Sequence, residues 1–272
     1  MTTGPLRKMR TRPESPVAYS LPVGEALMDL QPCIGGRIEL NFEGEILCAH
    51  CGRRTKKSYS QGHCFPCSQR LAACDLCVLQ PSRCHFDQGT CREPDWGRTH
   101  CMQTHLVYLA NTTGLKVGIT RAHQAMTRWM DQGASQALPI LEVATRQISG
   151  LIESVIAQHV TDRTDWRALL RGAPEPVDLV LERDRILALC QDDIDQIAER
   201  FGPGSVRRAV SDAPISLQFP VLRYPEKVRP LSFDRTPAVS GRLEGIKGQY
   251  LLLDTGVLNV RKFRSYVISV EG

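Results

Sequence analysis

The sequence contains no long hydrophobic run, because apolar residues nowhere approach the ~18 consecutive positions that a membrane-spanning helix needs. The chain is therefore not expected to cross a membrane. The basic residues near its N-terminus are not followed by an apolar segment, so they lack the central part of a secretory signal. Internal repeats and low-complexity segments are also missing. Because nothing directs the chain to an oxidising compartment, we expect a cytoplasmic protein without a disulfide framework.

The net charge of the chain is small, +5, but it is unevenly distributed. Residues 205–272 carry 11 Lys and Arg against 6 Asp and Glu, an excess equal to the charge of the whole chain. A second basic run lies in the N-terminal tail, at Arg7, Lys8, Arg10 and Arg12. Basic surface at both ends favours DNA or RNA as a partner, with an ordinary solvated surface as the alternative. We expect no small-molecule organic cofactor.

Cysteine is abundant and strongly clustered. Nine of the eleven cysteines lie between residues 48 and 101. They form three Cys-x-x-Cys pairs followed by three single residues: Cys48/Cys51, Cys64/Cys67 and Cys74/Cys77, then Cys84, Cys91 and Cys101. Two residues between thiolates place both sulfurs on one side of a tight turn, as adjacent corners of a tetrahedral zinc site require. Because segment 46–103 has few large apolar side chains, metal would replace a hydrophobic core there. The pattern predicts a zinc-knuckle module with one or two structural zinc ions.

The pairing of the cysteines stays open at this stage. In the sequential arrangement, the first zinc takes Cys48, Cys51, Cys64 and Cys67, and the second takes Cys74, Cys77 and two of Cys84, Cys91 and Cys101. In a crossed arrangement, Cys48 and Cys51 would share a zinc with Cys74 and Cys77. His85 and His100 each follow or precede a cysteine and could replace a sulfur. Cys33 and Cys190 stand alone and are interpreted as small buried apolar side chains.

Changes in composition and periodicity predict an α+β protein of several parts. We expect a disordered basic tail over 1–20, strands over 21–45 that lead into a zinc module over 46–103, a small α/β domain over 104–171, one long helix over 177–202, and a small basic β domain over 214–272. Within the α/β domain the predicted order is strand 105–110, strand 115–119, helix 121–132, strand 138–143 and helix 147–160. This ββαβα order describes a small sandwich.

Two short runs in this domain carry a resemblance. Val107-Tyr-Leu109, followed after a turn by Lys116-Val-Gly-Ile-Thr120, resembles the paired strands of the GIY-YIG endonuclease superfamily, in the branch whose second tripeptide begins with lysine. The resemblance covers about residues 105–165 and implies a GIY-YIG-like ββαβα sandwich with metal-dependent endonuclease activity. The whole chain also resembles a bacterial family, domain of unknown function 2797, through residues 91–97, 100–102, 107–110 and 116–121. That second resemblance implies no activity.

The superfamily resemblance implies a role for four residues. Glu153 would hold one Mg²⁺ or Mn²⁺, Arg128 would contact the phosphate, Tyr108 would orient or deprotonate the attacking water, and Lys116 would be a further cation on the phosphate. Each also has a plain structural interpretation: Tyr108 packs within a strand, Arg128 lies on a helix surface, and Glu153 lies on the shoulder of an amphipathic helix, closer to solvent than to the core.

The sequence departs from the superfamily pattern at two places. Leu106 precedes Val107 where the first tripeptide has glycine, and no asparagine is present near the end of the domain, where Asp165 is the nearest candidate. A fold kept for nucleic-acid binding without catalysis, or a zinc-stabilised scaffold for protein interactions, is the alternative to an endonuclease. Phosphate backbone contacts are predicted for basic residues beside the first cysteine pair and beside the second strand: Arg53, Arg54, Lys56, Lys57 and Arg121.

Overall fold

The computed structural model describes residues 2–211 and 213–272, and it shows a mixed α+β protein with three β-sheets. The strands are β1 (Thr2–Pro5), β2 (Arg10–Arg12), β3 (Ala18–Val23), β4 (Ala26–Asp29), β5 (Arg37–Ile46), β6 (His105–Asn111), β7 (Leu115–Arg121), β8 (Gln136–Val143), β9 (Val206–Arg208), β10 (Ile215–Ser216), β11 (Ala238–Lys247), β12 (Tyr250–Leu253), β13 (Gly256–Asn259) and β14 (Tyr266–Glu271). The helices are α1 (Phe65–Arg70), α2 (Leu76–Leu79), α3 (Pro94–His100), α4 (Ala125–Gln132), α5 (Arg146–Ile156), α6 (Trp166–Leu169), α7 (Leu179–Leu189) and α8 (Gln191–Phe201).

The two ends of the described chain lie in one sheet. Its order is β1-β14-β5-β11-β12-β13, and all of its pairs are antiparallel. A second sheet, β2-β3-β4, packs against the same apolar core. The expected disordered tail over 1–20 is therefore wrong, because three side chains there are fully buried apolar anchors: Leu6, Met9 and Val17. The predicted C-terminal β domain of 214–272 is likewise only part of a larger unit that includes β1 and β5. This unit, the β unit, consists of the six-stranded sheet and the β2-β3-β4 sheet around their shared core.

The five-stranded sheet has helices on both faces. Its order is β10-β8-β6-β7, and β9 extends β8 at the other end of that strand. Alternation along β6 sends Val107 and Leu109 to the face covered by α5, α7 and α8, while Tyr108 faces α4. The observed element order from β6 to α5 is strand, strand, helix, strand, helix, in agreement with the predicted order. In this arrangement β7 is the edge strand of the five-stranded sheet. Side chains from the two faces of that sheet can therefore meet beyond β7.

The single helix expected over 177–202 is instead two helices. The chain leaves helical geometry at Cys190, between α7 and α8, and the Cys190 side chain is fully buried. Ile186 on α7 and Ile194 on α8 both reach the core beneath the five-stranded sheet. Asp192 and Asp193 in the first turn of α8 favour a new N-terminus here.

Buried polar contacts join the six-stranded sheet to α4. The Asp131 carboxylate on α4 accepts from Lys8 Nζ at 2.6 Å and from Gln249 Nε2 at 2.9 Å. The same amide nitrogen of Gln249 donates to the Met9 carbonyl, and its Oε1 accepts from the Met9 N–H. Met130, also on α4, packs in the core of the β unit. These contacts fix α4 against the β unit, which matters because α4 also carries Arg128.

The part of the chain that the structure describes has no helix that is both long enough and apolar enough to cross a bilayer.

Candidate functional site

The first four clustered cysteines converge on one point. The sulfur atoms of Cys48, Cys51, Cys64 and Cys67 all lie within 4.8 Å of one another. Strand β5 leads into Cys48, whose carbonyl accepts from the Gly52 N–H at 2.9 Å in a tight turn. This group could bind zinc, and it matches the sequential pairing rather than the crossed one.

The surroundings of Cys48 favour ionisation of its thiol. Burial raises the pKa of this thiol, but backbone N–H groups of Cys51, Cys64 and His50 point at the sulfur and lower it below the usual thiol value overall. The Cys64 N–H lies 3.3 Å from Cys48 Sγ. Since a metal binds the thiolate form, these N–H groups favour the form of Cys48 that a zinc ion requires.

Four of the remaining cysteines line a small pocket between α2 and α3: Cys77, Cys84, Cys91 and Cys101. Among the described residues, Cys74 is not part of this lining. His85 also lines the pocket. His100 does not, because its ring stacks on Trp96 with the centroids 4.2 Å apart.

A larger cleft lies where the five-stranded sheet, the cysteine-rich segment and the β unit meet, with a volume of about 570 Å³. Its basic side chains come from all parts of the chain: Lys8, Arg121, Arg128, Arg146, Arg261 and Arg264. Its acidic side chains are Asp131, Glu153 and Asp162. Because Asp131 is already paired with Lys8, five arginines face two carboxylates. The cleft is therefore electropositive and suited to an anionic ligand.

Tyr108 lies beneath this cleft and is fully buried. With the Gln132 amide oriented to satisfy its neighbours, Nε2 donates to the Tyr108 hydroxyl at 2.8 Å, and Oε1 accepts from Nη2 and Nε of Arg128 at 3.0 and 3.2 Å. Burial raises the pKa of Tyr108, while the Arg128 charge opposes the shift. The phenol is thus shielded from solvent and supports Arg128 through Gln132, and the direct action of Tyr108 on a water stays a prediction.

Glu153 projects from α5 into the cleft and is half-buried. In residues 2–211 and 213–272 its carboxylate has neither a hydrogen bond nor an ion-pair partner. Burial, followed by the charge of Asp162, raises the pKa of Glu153 from 4.5 to about 7, although Arg128 and Lys116 oppose this shift. A carboxylate left half-buried and without a partner among arginines is unusual, because the charged form is costly there.

Lys116 lies on edge strand β7, behind the cleft surface. Its side chain is buried, and Nζ donates to Thr164 Oγ1 at 3.3 Å. Burial, and then the charge of Arg128, lowers the pKa of Lys116 to about 8. Lys116 and Glu153 each alter the pKa of the other, so the two groups lie within electrostatic range. Of the four residues with predicted roles, Arg128 and Glu153 line the cleft, and Lys116 and Tyr108 lie behind it.

Six charged cleft residues were not predicted as site residues: Lys8, Asp131, Arg146, Asp162, Arg261 and Arg264. Asp162 reaches the site because its segment runs beside β7, where the Val117 N–H donates to the Thr161 carbonyl at 2.9 Å. Arg146 opens α5, and Arg261 and Arg264 come from the turn before β14. For Arg261 and Arg264 the only signal in the sequence is general, the basic excess of the C-terminal quarter. No local motif identifies Asp162 or Arg146.

Of the remaining predicted positions, only Arg121 lines the cleft in the part of the chain that the structure describes. Arg53, Arg54, Lys56 and Lys57 are exposed around the first cysteine group and, within the described residues, do not line the cleft. Arg121 does line it, and its Nη2 donates to Gln124 Oε1 at 2.7 Å. The Asp165 carboxylate accepts from two backbone N–H groups and caps α6, which explains this residue without any role in a site. Cys190 is buried as expected, whereas Cys33 is partly exposed.

Comparison with known proteins gives a family but no characterised relative. No curated protein matches the chain, and no solved structure matches it. A family model described as "Protein of unknown function (DUF2797)" matches residues 35–268, which include both cysteine groups, the five-stranded sheet and the arginine-lined cleft. By this match, which covers most of its length, the chain belongs to the DUF2797 family.

Proposed function

We propose that the protein binds DNA or RNA in the arginine-lined cleft and hydrolyses phosphodiester bonds there with the help of a divalent cation, as a GIY-YIG-like endonuclease. The observation that carries this proposal is Glu153, a half-buried carboxylate without a partner in the described residues, surrounded by arginines. A carboxylate is unfavourable toward a phosphate unless a cation lies between them. Glu153 is therefore explained by a cation that binds together with the anionic ligand.

The order of the elements supports the GIY-YIG-like assignment. Strands β6 and β7 pair as a hairpin, Arg128 lies on the following helix, and Glu153 lies on the helix after the third strand. These are the positions that the resemblance assigns to the arginine and the metal-binding glutamate. The cleft that Arg128 and Glu153 share is the further support.

The chain's own residues provide an anion-binding surface. The Gln132 side chain holds both Nε and Nη2 of Arg128, which fixes the plane of the guanidinium. A guanidinium in a fixed orientation can donate two parallel hydrogen bonds to a phosphate. Arg261 lies close enough to Arg128 for each charge to disfavour the other, so a bound phosphate would relieve their repulsion. Donors placed where negative charge develops also stabilise the transition state.

Glu153 and Asp162 are suitable ligands for the cation. Mg²⁺ keeps several waters and needs only one or two protein carboxylates, and the two acidic residues are close enough for Asp162 to raise the pKa of Glu153. When bound, Mg²⁺ or Mn²⁺ would supply positive charge to the phosphate and lower the pKa of a water. For the first cysteine group we propose a structural zinc ion, which would hold segment 48–67 in place of an apolar core.

A second candidate function is nucleic-acid binding without cleavage. The observation that favours it is the burial of Tyr108, whose hydroxyl is shielded from the cleft by Gln132 and Arg128. Shielded in this way, the Tyr108 phenol would not take a proton from an attacking water. The arginines would still bind phosphate, and Glu153 would weaken binding by repelling it.

The test is a cleavage assay on supercoiled plasmid and on single-stranded RNA, with Mg²⁺ or Mn²⁺ present or omitted. Omission is preferable to a chelator, because a chelator would also remove zinc. We expect cleavage only with the added cation, and its loss in Glu153→Gln without loss of folding. Glu142→Gln is the matched control, because Glu142 lies on β8, away from the cleft, and we expect it to cleave normally.

Binding measured on the same samples separates the alternatives. Wild-type protein that binds in a salt-sensitive manner but cleaves neither substrate would support binding without cleavage, particularly if Glu153→Gln binds more tightly. Wild-type protein that neither binds nor cleaves at low salt would contradict both candidates and leave the zinc-stabilised scaffold. A rise in melting temperature on adding Mn²⁺, absent in Glu153→Gln, is an independent measure of the cation site.

A further inference from the structure

The pocket between α2 and α3 brings together four cysteines from four separate turns. Cys77 lies on α2, Cys101 follows α3, and Cys84 and Cys91 lie in the loop between. Cys101 is buried, and the other three are partly buried. Apart from these side chains the lining is mostly polar or aromatic, so the segment has no aliphatic core of its own. Something other than apolar packing must hold segment 74–101 together.

The four thiols line the same small pocket. Packing around them is tight, because a Cβ on Gly97 would lie 3.2 Å from Cys91 Sγ and 2.9 Å from the Phe86 ring. Four thiols in one pocket offer a complete set of soft ligands for a tetrahedral metal ion.

We propose that Cys77, Cys84, Cys91 and Cys101 bind a second structural zinc ion, and that Cys74 is not a ligand. On binding, the four thiols lose four protons to solvent and form four Zn–S bonds, with no change of oxidation state. The resulting centre carries a charge of −2. The inference concerns the folding of this segment and does not depend on the proposed function of the cleft.

The first residues of α5 are arranged around this centre. The Arg146 N–H donates to the Cys101 carbonyl at 2.9 Å, and Arg146 Nη2 donates to the Val78 carbonyl at 2.7 Å. Gln147 Nε2 donates to the Cys84 carbonyl at 3.1 Å. Two neighbouring residues of one helix thus contact three of the turns that carry the proposed ligands.

Arg146 also has an unused donor. Its Nε is buried and has no hydrogen-bond partner within residues 2–211 and 213–272. The Arg146 backbone is hydrogen-bonded to Cys101 and its guanidinium is hydrogen-bonded to Val78, the residue after Cys77, so the side chain lies beside two of the proposed ligands. A zinc-bound thiolate accepts hydrogen bonds, and a cation beside it offsets the negative charge of the centre. The second zinc therefore accounts for a buried polar atom that otherwise lacks an explanation.

The second zinc would also shape the cleft. α5 packs directly on residues 81–83, where a Cβ on Gly150 would lie 2.5 Å from Pro81 Cβ. Val78, Leu79 and Pro81 form part of the cleft wall. Fixing segment 77–84 by metal would therefore fix one wall of the cleft.

A mixed ligand set lies in the same pocket and is the main alternative. Ligand atoms of Asp75, Cys77 and His85 lie within 4.8 Å of one another. However, the Asp75 carboxylate already pairs with Arg92 Nε at 2.6 Å, and His85 Nδ1 is bonded to Thr90 Oγ1 at 2.7 Å. Asp75 also caps α2. These contacts indicate that Asp75 and His85 position the ligands and are not ligands themselves.

The test is the zinc content of the purified full-length chain, measured by mass spectrometry of the metal. We expect two zinc ions per wild-type chain and one in Cys84→Ala. Cys74→Ala and His85→Ala are the matched controls, and both should keep two. One zinc per wild-type chain would overturn the inference, and so would loss of a zinc from Cys74→Ala or His85→Ala. Co²⁺ in place of zinc should give two sets of tetrahedral thiolate bands.

A measurement on wild-type protein keeps the inference testable if Cys84→Ala does not fold. A thiol-alkylating reagent is added briefly to the native zinc-loaded protein, and the modified cysteines are mapped by peptide mass spectrometry. Only Cys33 and Cys74, which are partly exposed and outside both groups, should react quickly. Cys77, Cys84 and Cys91 have similar exposure but should react only after chelation. If those three react as quickly as Cys33 in the zinc-loaded protein, the second site does not exist.

Discussion

A Cβ atom on Gly118 would lie 2.6 Å from the hydroxyl oxygen of Tyr108, so the phenol occupies space that only glycine leaves free. The two residues face each other across the β6–β7 pair. Since Tyr108 holds Gln132, and Gln132 holds Arg128, the missing side chain at Gly118 helps to set the position of the guanidinium.

Gly118→Ala should therefore destabilise the protein by about 1–3 kcal/mol, because the phenol must move within a packed core. The measurement is the free energy of unfolding in urea. Gly172→Ala is the control, since a Cβ there meets no atom within 4 Å and should change stability by less than about 0.5 kcal/mol. Equal stability of the two variants would show that Tyr108 is not constrained by Gly118.

Glu153 should make stability depend on pH. Its pKa is raised to about 7 in the folded protein, so the folded state holds a proton that the unfolded state releases near pH 4.5. Stability from this group is therefore present below about pH 4.5 and is lost as pH rises through about 7. At pH 8 without divalent cation, Glu153→Gln should be more stable than wild type by about 1–2 kcal/mol, allowing for partial exposure. Unfolding curves at pH 5 and pH 8 check this, and an equal effect at both would contradict it.

Arg128→Ala should weaken binding to an oligonucleotide by about tenfold or more, because it removes a charged donor to phosphate. The slope of log affinity against log salt should also fall in magnitude by about 1. Fluorescence anisotropy at several salt concentrations measures both quantities. Arg207→Ala removes the same charge from β9, at the opposite side of the five-stranded sheet, and should have a much smaller effect. Similar losses in the two variants would argue against a specific contact in the cleft.

The ion pair between Lys8 and Asp131 should stabilise the junction between the β unit and α4. Asp131→Asn removes it from a site where the Asp131 side chain is only 8% exposed, and we expect a loss of about 1–2 kcal/mol. The control is Glu14→Gln, whose pair with Arg12 is over half exposed on both sides and should contribute less than about 0.5 kcal/mol. Thermal unfolding compares them. An Asp131→Asn variant with unchanged stability would mean that apolar contacts alone hold the junction.

Cys51→Ala should lose the zinc of the first cysteine group, while Cys33→Ala, which changes a partly exposed cysteine outside both groups, should keep it. We also expect Cys51→Ala to become sensitive to proteolysis between residues 48 and 67. Metal analysis and limited trypsin digestion measure these outcomes. A Cys51→Ala protein with full zinc content would rule out the proposed ligand set.

Features of the structure that have a local signal could be predicted from the sequence. The Cys-x-x-Cys spacing of residues 48–67 identified a group that the structure brings together, because short turns fix both sulfurs of each pair. The order of elements from β6 to α5 followed from alternation and helical periodicity. In both cases the interacting residues are close in the sequence or repeat at a regular interval.

Features that depend on long-range contacts could not be predicted from the sequence. Residues 2–5 look like a flexible tail until β14 supplies their hydrogen-bonding partners. Likewise, Arg261 reaches the surroundings of Arg128 only because the β unit docks on α4. The burial of Tyr108 is likewise decided by α4, which no pattern within the strand reports.

The pairing of β1 with β14 has a consequence for synthesis on the ribosome. Thr2 pairs with Val270, so β1 must wait until the residues up to β14 have been made before its neighbour exists. The hairpin of β6 and β7 has no such delay and can form while translation continues. Lys8 and Arg261 therefore join their side of the cleft last, and a nascent chain that already contains Glu153 would not yet have a complete site.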